Sequence, residues 1–246
     1  GRQPPRREII EGNALEWIEA QAAFPSQACI VTGVPDIVEA APGGGPMPMD
    51  EYRAWFEAIA ASILSRLSSG SRAIFIQTDT KLEDRPGSYV EWIDKSYLLQ
   101  RAAQRIDGIV LLWHKIACFD AVGGNSSRSG GMMKTRYSHM LCFGRAPCSE
   151  AHLGPVASVP DVLRRGHTTW SRGTGLRCCL AVCRYVKKCG FATVIDPFCG
   201  EGMVVAVAGH CGLDAVGIEL SRKRADAARK LDVDELVAQD AVEETR

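Results

Sequence analysis

The chain lacks several features that would place it in a special class. No run of about eighteen apolar residues occurs, so the sequence offers no membrane span. Its ten cysteines form no Cys-x-x-Cys pair and no Cys/His cluster, which disfavours zinc, the competing interpretation, and we expect no metal. Unpaired cysteine spacing is typical of a reducing compartment, so we expect a cytoplasmic or nuclear protein. The first residues lack Met and an apolar segment, which favours a truncated end over a secretory signal.

The sequence also lacks an excess of either charge sign, because 29 Lys and Arg balance 29 Asp and Glu. The charges are nevertheless unevenly distributed along the chain. Residues 118–190 carry eleven basic and three acidic residues, a balance of +8, whereas residues 191–246 have a balance of −5 and residues 1–117 one of −3. A basic segment beside an acidic one suits an enzyme with a polyanionic substrate, and an unevenly charged solvated surface is the alternative.

The pattern of apolar residues predicts a single α/β domain with a mostly parallel central sheet and helices on both faces. Residues 109–117 and 137–143, separated by a Gly/Ser-rich stretch, are expected to form an antiparallel hairpin at the sheet edge. The other predicted strands are residues 28–31, 73–78, 194–195, 213–219 and 235–240. The predicted helices are residues 8–23, a helix capped by Asp50, Tyr89 to Ile106, Leu176 to Cys189, one beginning at Met203, and Arg222 to Leu231.

A glycine-bearing turn between a strand and a helix is the strongest local signal. Val194 and Ile195 suit a buried strand, and Gly200 and Gly202 let a ligand approach the backbone at the start of the next helix. The following predicted strand ends in a carboxylate, Glu219, which is placed to accept hydrogen bonds from ribose hydroxyls. The turn and the acid together predict a nucleotide-binding βαβ unit.

Residues 196–202, Asp-Pro-Phe-Cys-Gly-Glu-Gly, resemble the S-adenosylmethionine (SAM) loop of nucleic-acid methyltransferases, Asp-Pro-Phe-Cys/Met-Gly-Ser-Gly. The resemblance implies a Rossmann-like fold and SAM as the cofactor. It implies that cofactor contacts come from Asp196, Pro197, Phe198, Cys199, Gly200, Gly202 and Glu219, with Cys199 packing rather than attacking. Residues 196–202 are called the glycine loop below.

The order of the halves resembles the circularly permuted β-type amino-methyltransferases, in which the catalytic half precedes the SAM half. The resemblance implies a single methyltransferase domain over residues 1–246, with a catalytic half at 1–146, a linker at 147–173 and a SAM-binding half at 174–246. It also implies that Gly173 and Thr174, before the helix that precedes the glycine loop, touch the cofactor, and that Asp240 bonds the adenine amine. An acidic tail is the alternative for Asp240.

The expected catalytic segment is Thr32-Gly33-Val34-Pro35-Asp36-Ile37, called the 32–37 loop, which follows a buried strand. The family's loop is Asp/Asn/Ser-Pro-Pro followed by an aromatic residue, whereas this one has a single Pro and no aromatic. We therefore expect Asp36, with Pro35 and Thr32, to act as base or orienter toward a ring nitrogen such as uridine N3. A plain turn role for Asp36 is the alternative.

Substrate contacts are expected from an aromatic residue among basic residues, Trp170 with Arg165 and Arg172, and from His114 and Lys115 at the end of a strand. Ordinary packing and a surface His-Lys pair are the alternatives. The sequence thus predicts a SAM-dependent methyltransferase of a nucleic-acid base, with RNA preferred over DNA, no membrane partner and no inference about oligomeric state. DNA or protein amino-methylation and an inactive SAM-binding platform subunit remain alternatives.

Overall fold

The computed structural model describes residues 4–41, 45–83, 89–119, 127–129, 132–146 and 157–244. Two predicted segments lie partly outside these ranges: the Gly/Ser-rich stretch of residues 123–131 and the linker. The division of the chain into two halves and a linker stays a prediction.

The described secondary structure alternates strands and helices along most of the chain. The strands are β1 Arg7–Glu11, β2 Ala28–Thr32, β3 Arg72–Gln77, β4 Thr80–Glu83, β5 Val90–Ile93, β6 Ile109–Cys118, β7 Ser127–Ser129, β8 Met132–Lys134, β9 Tyr137–Arg145, β10 Val162–Arg164, β11 Thr193–Asp196 and β12 Asp214–Glu219. The helices, numbered in chain order, are α1 Ala14–Glu19, α2 Ile37–Ala40, α3 Met49–Ser65, α4 Lys95–Gln104, α5 Leu176–Lys188, α6 Met203–His210, α7 Arg222–Lys230 and α8 Asp234–Glu244.

The main sheet has eight strands in the order β1-β12-β11-β2-β3-β9-β6-β10, and only β9 runs antiparallel to its neighbours. The predicted fold class, a mostly parallel Rossmann-like sheet with an antiparallel β6–β9 pair, is confirmed. The carboxyl ends of β2 and β11 meet in the middle of the sheet, which is where ligands bind in open α/β folds.

Apolar side chains cover both faces of the sheet, as expected for parallel strands. On one face, Cys29, Val31 and Val194 pack with the cysteine-rich helix α5 and with α6. On the other, Ile30 and Phe75 pack with α1, α3 and α4. The two layers hold the strand ends of the middle of the sheet in fixed positions, and these strand ends carry the candidate site.

Several predicted elements were wrong in type or in bounds. Residues 8–11, expected to begin the helix of residues 8–23, belong to β1 because they pair with β12. The helix α1 starts only after Asn13, whose side chain accepts a hydrogen bond from Leu15 N. Asp50 lies in the first turn of α3 rather than at its cap. Residues 90–93 pair with β4, so α4 begins after Asp94.

The predicted strand at residues 235–240 was also wrong, because this segment is part of α8. A run as short as Leu236-Val237-Ala238 suits either structure, and acidic residues in the first turn, Asp234 and Glu235, favour the helix. Two features were not predicted: β10, which lies outside β6 and within the expected linker, and a small antiparallel sheet of β5, β4, β8 and β7. Within the described residues, no helix combines the length and apolarity that a membrane crossing needs.

Candidate active site at the carboxyl ends of β2 and β11

The glycine loop makes a tight turn from β11 into α6. Gly200 and Gly202 have φ values of 55° and 88°, a left-handed conformation that side-chain-bearing residues rarely adopt. A Cβ on Gly202 would lie 2.7 Å from the Cβ of Ala228 in α7, so the loop packs directly against that helix. A Cβ on Gly200 would meet only Trp170 Nε1, at 3.9 Å, so the backbone at Gly200 is not covered by close neighbours.

Glu219 ties the end of β12 to the glycine loop. Its carboxylate accepts hydrogen bonds from Gly200 N at 3.1 Å and from Ser221 N at 2.8 Å. Cys199 N also donates to Ile218 O at 3.0 Å, so the loop and the strand end form one hydrogen-bonded unit. The predicted nucleotide-binding βαβ arrangement of loop, helix and terminal acid is present.

A single hydrogen bond joins the two predicted halves of the site. Thr32 Oγ1, at the end of β2, donates to Asp196 Oδ1 at 2.6 Å, and Phe198 N donates to the same oxygen at 3.1 Å. Burial raises the pKa of Asp196 to about 7, although both hydrogen bonds oppose this shift. The glycine loop and the 32–37 loop are thus in direct contact.

Asp36 is held by donors from three elements. Its side chain caps α2, and Oδ1 accepts hydrogen bonds from Ile37 N at 2.8 Å, from Lys95 Nζ at 2.9 Å and from Thr80 Oγ1. Burial alone would raise the pKa of Asp36, but Lys95 and the other donors outweigh it and hold the pKa below its ordinary value. Asp36 is therefore an ionised hydrogen-bond acceptor and a weak base.

The predicted residues around Asp36 omitted its main partners. Lys95 is almost fully buried, and the Tyr52 hydroxyl donates to Pro35 O at 2.9 Å and keeps its proton because burial raises its pKa to about 12. The sequence carries only two weak signals for these partners. Lys95 follows an Asp that caps a helix, and Thr80 follows a predicted strand.

Trp170, expected to contact substrate, lies beside the glycine loop, and its substrate contact stays a prediction. A Cβ on Gly200 would be 3.9 Å from its Nε1, Gly173 packs against its ring, and the Arg224 guanidinium lies 5.1 Å from the ring centroid. Glu39 in α2 faces both Arg224, at 3.7 Å, and Arg172, at 3.8 Å. Trp170 and Arg172 therefore border the cleft between the two loops.

The remaining residues near α5 have structural partners. Arg165 donates to Thr168 Oγ1 at 3.2 Å, and its carbonyl accepts from Arg177 N, which holds the loop before α5 in place. Asp240, expected after a strand, lies in α8 and pairs with Arg177 Nε at 2.8 Å. Its expected place at the end of a third strand is therefore wrong. Thr174 is half-buried directly before α5.

His114 and Lys115 point to opposite faces of β6. Lys115 is mostly buried and pairs with Asp161, whereas the His114 ring is exposed and lies 3.0 Å from His139, measured between His114 Nε2 and His139 Nδ1. Cys199 packs against Gly217, and burial raises the pKa of its thiol well above the ordinary value. The thiol is therefore protonated and packs against the sheet, and its expected packing against the cofactor stays a prediction.

No family model and no curated protein matches the sequence. Solved structures do match its fold. A cytosine-N4-specific PvuII DNA methyltransferase aligns with a TM-score of 0.68 at 14% identity, covering 95% of this chain and 91% of the other. A putative DNA modification methylase from Thermus thermophilus, complexed with S-adenosyl-L-methionine, aligns with a TM-score of 0.63 at 18% identity, covering 91% and 92%. An M1.HpyAVI–SAM complex aligns with a TM-score of 0.51 at 14% identity, covering 91% and 98%.

These similarities establish that the chain has the fold of SAM-dependent nucleic-acid methyltransferases. The order of the halves, with β2 before the glycine loop, agrees with the predicted permuted arrangement.

Proposed function

We propose that this chain, which has a methyltransferase fold, is a SAM-dependent methyltransferase of a nucleic-acid base. The observation that carries the proposal is the 2.6 Å bond between Thr32 and Asp196, since it joins a glycine loop of SAM-loop type to a second polar loop at the centre of the sheet. In-line transfer needs both reactants held at one point, and two loops on adjacent parallel strands provide this arrangement.

The residues present fit SAM as the cofactor. The backbone at Gly200 is not covered by close neighbours, and the Glu219 carboxylate, at the end of the next strand, is our candidate acceptor for the ribose hydroxyls. Asp196 supplies a carboxyl beside the loop, and Trp170 borders the same cleft. When bound, SAM supplies a methyl group on a sulfonium, which a base nitrogen attacks as the carbon–sulfur bond breaks and the nitrogen proton passes to solvent.

Asp36 is best suited to orienting the target nitrogen. Ile37 N, Lys95 Nζ and Thr80 Oγ1 donate to Oδ1, and the side chain also takes part in the capping box of α2 with Glu39. The side chain is still 31% exposed, so a substrate N–H can reach it. Because its pKa is below the ordinary value, Asp36 stays ionised and accepts this hydrogen bond without taking the proton. Lys95 and Thr80 fix the direction of the carboxylate.

DNA is the first polymer to test. The solved structures that share this fold include enzymes described as DNA methyltransferases, and the expected preference for RNA has no support among them. The 32–37 loop lacks the aromatic residue of the family pattern, so the target atom differs from our template or the stacking group comes from elsewhere in the chain. A base in DNA therefore replaces a base in RNA as the proposed substrate.

The test combines calorimetry with SAM and transfer of labelled methyl groups to separate pools of DNA, RNA and protein. We expect stoichiometric SAM binding and label in DNA. The Asp36→Asn variant should bind SAM normally but transfer about 100-fold more slowly. Asp214→Asn is the matched control, because Asp214 lies at the amino end of β12, away from the carboxyl ends of the strands that carry the site.

Other outcomes would redirect or reject the proposal. Label in RNA alone would restore the expected RNA substrate, and label in protein alone would refute nucleic-acid methylation. SAM binding without transfer to any pool would support the platform alternative. Wild-type turnover by both Asp36→Asn and Asp36→Ala would remove Asp36 from the mechanism.

A further inference from the structure

A chain of hydrogen bonds leads from the buried end of β3 to the surface of β6. Asp79 Oδ1 accepts from Lys95 N at 3.0 Å, and Oδ2 accepts from Trp92 Nε1 at 2.9 Å. His139 Nε2 lies 3.1 Å from the same Oδ2, and its Nδ1 lies 3.0 Å from His114 Nε2. Asp79 and His139 are buried, whereas His114 is exposed.

The partners of His114 leave one of its two ring nitrogens for a ligand. Burial would raise the pKa of Asp79, but the hydrogen bond from His139 and the other donors hold it below its ordinary value, so Asp79 accepts and His139 donates from Nε2. His114 Nε2 is engaged with His139 Nδ1, so His114 Nδ1 is the ring nitrogen that remains for a ligand.

The surroundings of His114 favour the neutral form of its ring. Partial burial, followed by the neighbouring His139, lowers its pKa below the ordinary value, although the carboxylates of Asp94 and Asp79 oppose the shift. These three groups come from β9, from the cap of α4 and from the turn after β3, and they are the titratable groups that face the ring.

Aromatic side chains and an unpaired amide surround this chain of groups. Trp92, which donates to Asp79, is 47% exposed, and Lys81 Nζ covers one face of its ring at 3.6 Å from the centroid. Tyr97, whose backbone N–H donates to Asp94, is 56% exposed. Gln77 pairs with His139 across the strands, and within the described residues its buried Nε2 has no hydrogen-bond partner. Exposed rings beside polar groups with free capacity are typical of surfaces on which bases stack.

The position of His114 separates it from the methyl-transfer point. The residues in register across β6, β9, β3 and β2 are His114, Leu141, Phe75 and Thr32. Three strand spacings of roughly 4.8 Å put His114 about 14 Å from Thr32, beyond the reach of one base. The two places are rigidly linked, because Lys95 donates from N to Asp79 and from Nζ to Asp36.

We propose that Asp79, His139 and His114 form a nucleotide-recognition subsite, in which His114 Nδ1 makes a hydrogen bond with a polar group on the edge of a base flanking the target. Trp92 and Tyr97 provide the adjacent stacking surface. The inference rests on the proposed function, because it needs a nucleic acid held across the carboxyl ends of the strands. A metal ion is disfavoured here, since N–H donors already face both oxygens of Asp79.

The test is equilibrium binding, without SAM, of fluorescein-labelled single-stranded (dA)20 and of an abasic oligonucleotide of the same length. His114→Phe removes the ring nitrogens but keeps a ring, and it should weaken (dA)20 binding about fivefold while abasic binding is unchanged. His114→Gln, whose amide keeps a hydrogen-bonding group, should restore most of the affinity. His210→Phe is the matched control, because His210 also has an Asp partner but ends α6.

Three results would overturn the subsite. An equal loss of affinity for the abasic oligonucleotide would mean that His114 contacts phosphate. Unchanged (dA)20 binding by His114→Phe, in a protein that transfers methyl groups normally, would refute the subsite and leave the proposed function intact. Stoichiometric binding of Zn2+ that is lost in His139→Ala would replace the hydrogen-bonded chain with a metal site. Conversely, the predicted loss in a protein that methylates no pool would support the subsite and refute the proposed function.

Discussion

Replacing Asp196 with Asn should change how the stability of the protein depends on pH. Asp196 is 3% exposed, and burial raises its pKa from 3.8 to about 7. Between these two values the folded protein keeps a proton that the unfolded chain has lost, so the free energy of unfolding falls as pH rises. The full penalty above pH 7 is about 4 kcal/mol, because a difference of one in pKa corresponds to roughly 1.4 kcal/mol.

The most informative window is pH 5.5 to 8. Over this range the carboxyl of Asp196 should reduce the stability of the SAM-free wild type by about 2 kcal/mol. Asp36 and Asp79 have lowered pKa values, so their contributions change at more acidic pH. The amide oxygen introduced by Asp196→Asn can still accept from Thr32 and Phe198 N, but the new side chain cannot ionise.

Urea unfolding of wild type and Asp196→Asn at several pH values measures this difference directly. The other titrating groups cancel in the comparison, so the stability difference between the two proteins should change by about 2 kcal/mol across the window. Asp214→Asn should follow the wild type, because Asp214 lies at the amino end of β12, at the opposite ends of the strands from Asp196. Parallel curves for wild type and Asp196→Asn would show that Asp196 is ionised throughout, and the reasoning from burial would fail.

Three further substitutions test the geometry of the site. Gly202→Ala should cost about 2–4 kcal/mol of stability in urea unfolding and weaken SAM binding. Gly190→Ala is the control, because Gly190 has a similar φ of 84° but open space around it, and it should cost only about 1 kcal/mol. Equal costs would contradict the packing of Gly202 on α7. Lys95→Met should raise the pKa of Asp36, measured by NMR titration of its carboxyl, and an unchanged pKa would exclude the ion pair. Glu219→Gln should weaken SAM binding about tenfold in calorimetry, because one loop N–H would then face an amide nitrogen; unchanged affinity would remove Glu219 from the cofactor site.

The cofactor half of the site could be predicted because its signal is local. Asp196, Gly200 and Gly202 lie within seven consecutive residues, and Glu219 ends the next strand, so spacing alone indicates the turn and the acid. The pairing of Thr32 with Asp196 spans 164 positions and could be expected only from the family's sheet order.

The other half of the site depends on contacts without a local signal. Lys95 reaches Asp36 across 59 positions, and His139 reaches Asp79 across 60. Taken alone, each residue is typical of a helix start, a strand or a turn. The strand β1 was missed for the same reason, since its partner β12 lies about 200 residues away and Ile9 and Ile10 fit a helix equally well.

The most direct test of base methylation is mass spectrometry of nucleosides after incubation of the protein, DNA and SAM carrying a deuterated methyl group. The proposed function puts the methyl donor on the glycine loop and the target base on the 32–37 loop, which contacts it. We therefore predict a deuterated methyl group on a nucleobase nitrogen, formed about 100-fold more slowly by Asp36→Asn and at the normal rate by Asp214→Asn. Label on sugar or phosphate, or no labelled nucleoside from DNA or RNA with a protein that binds SAM, would contradict the account.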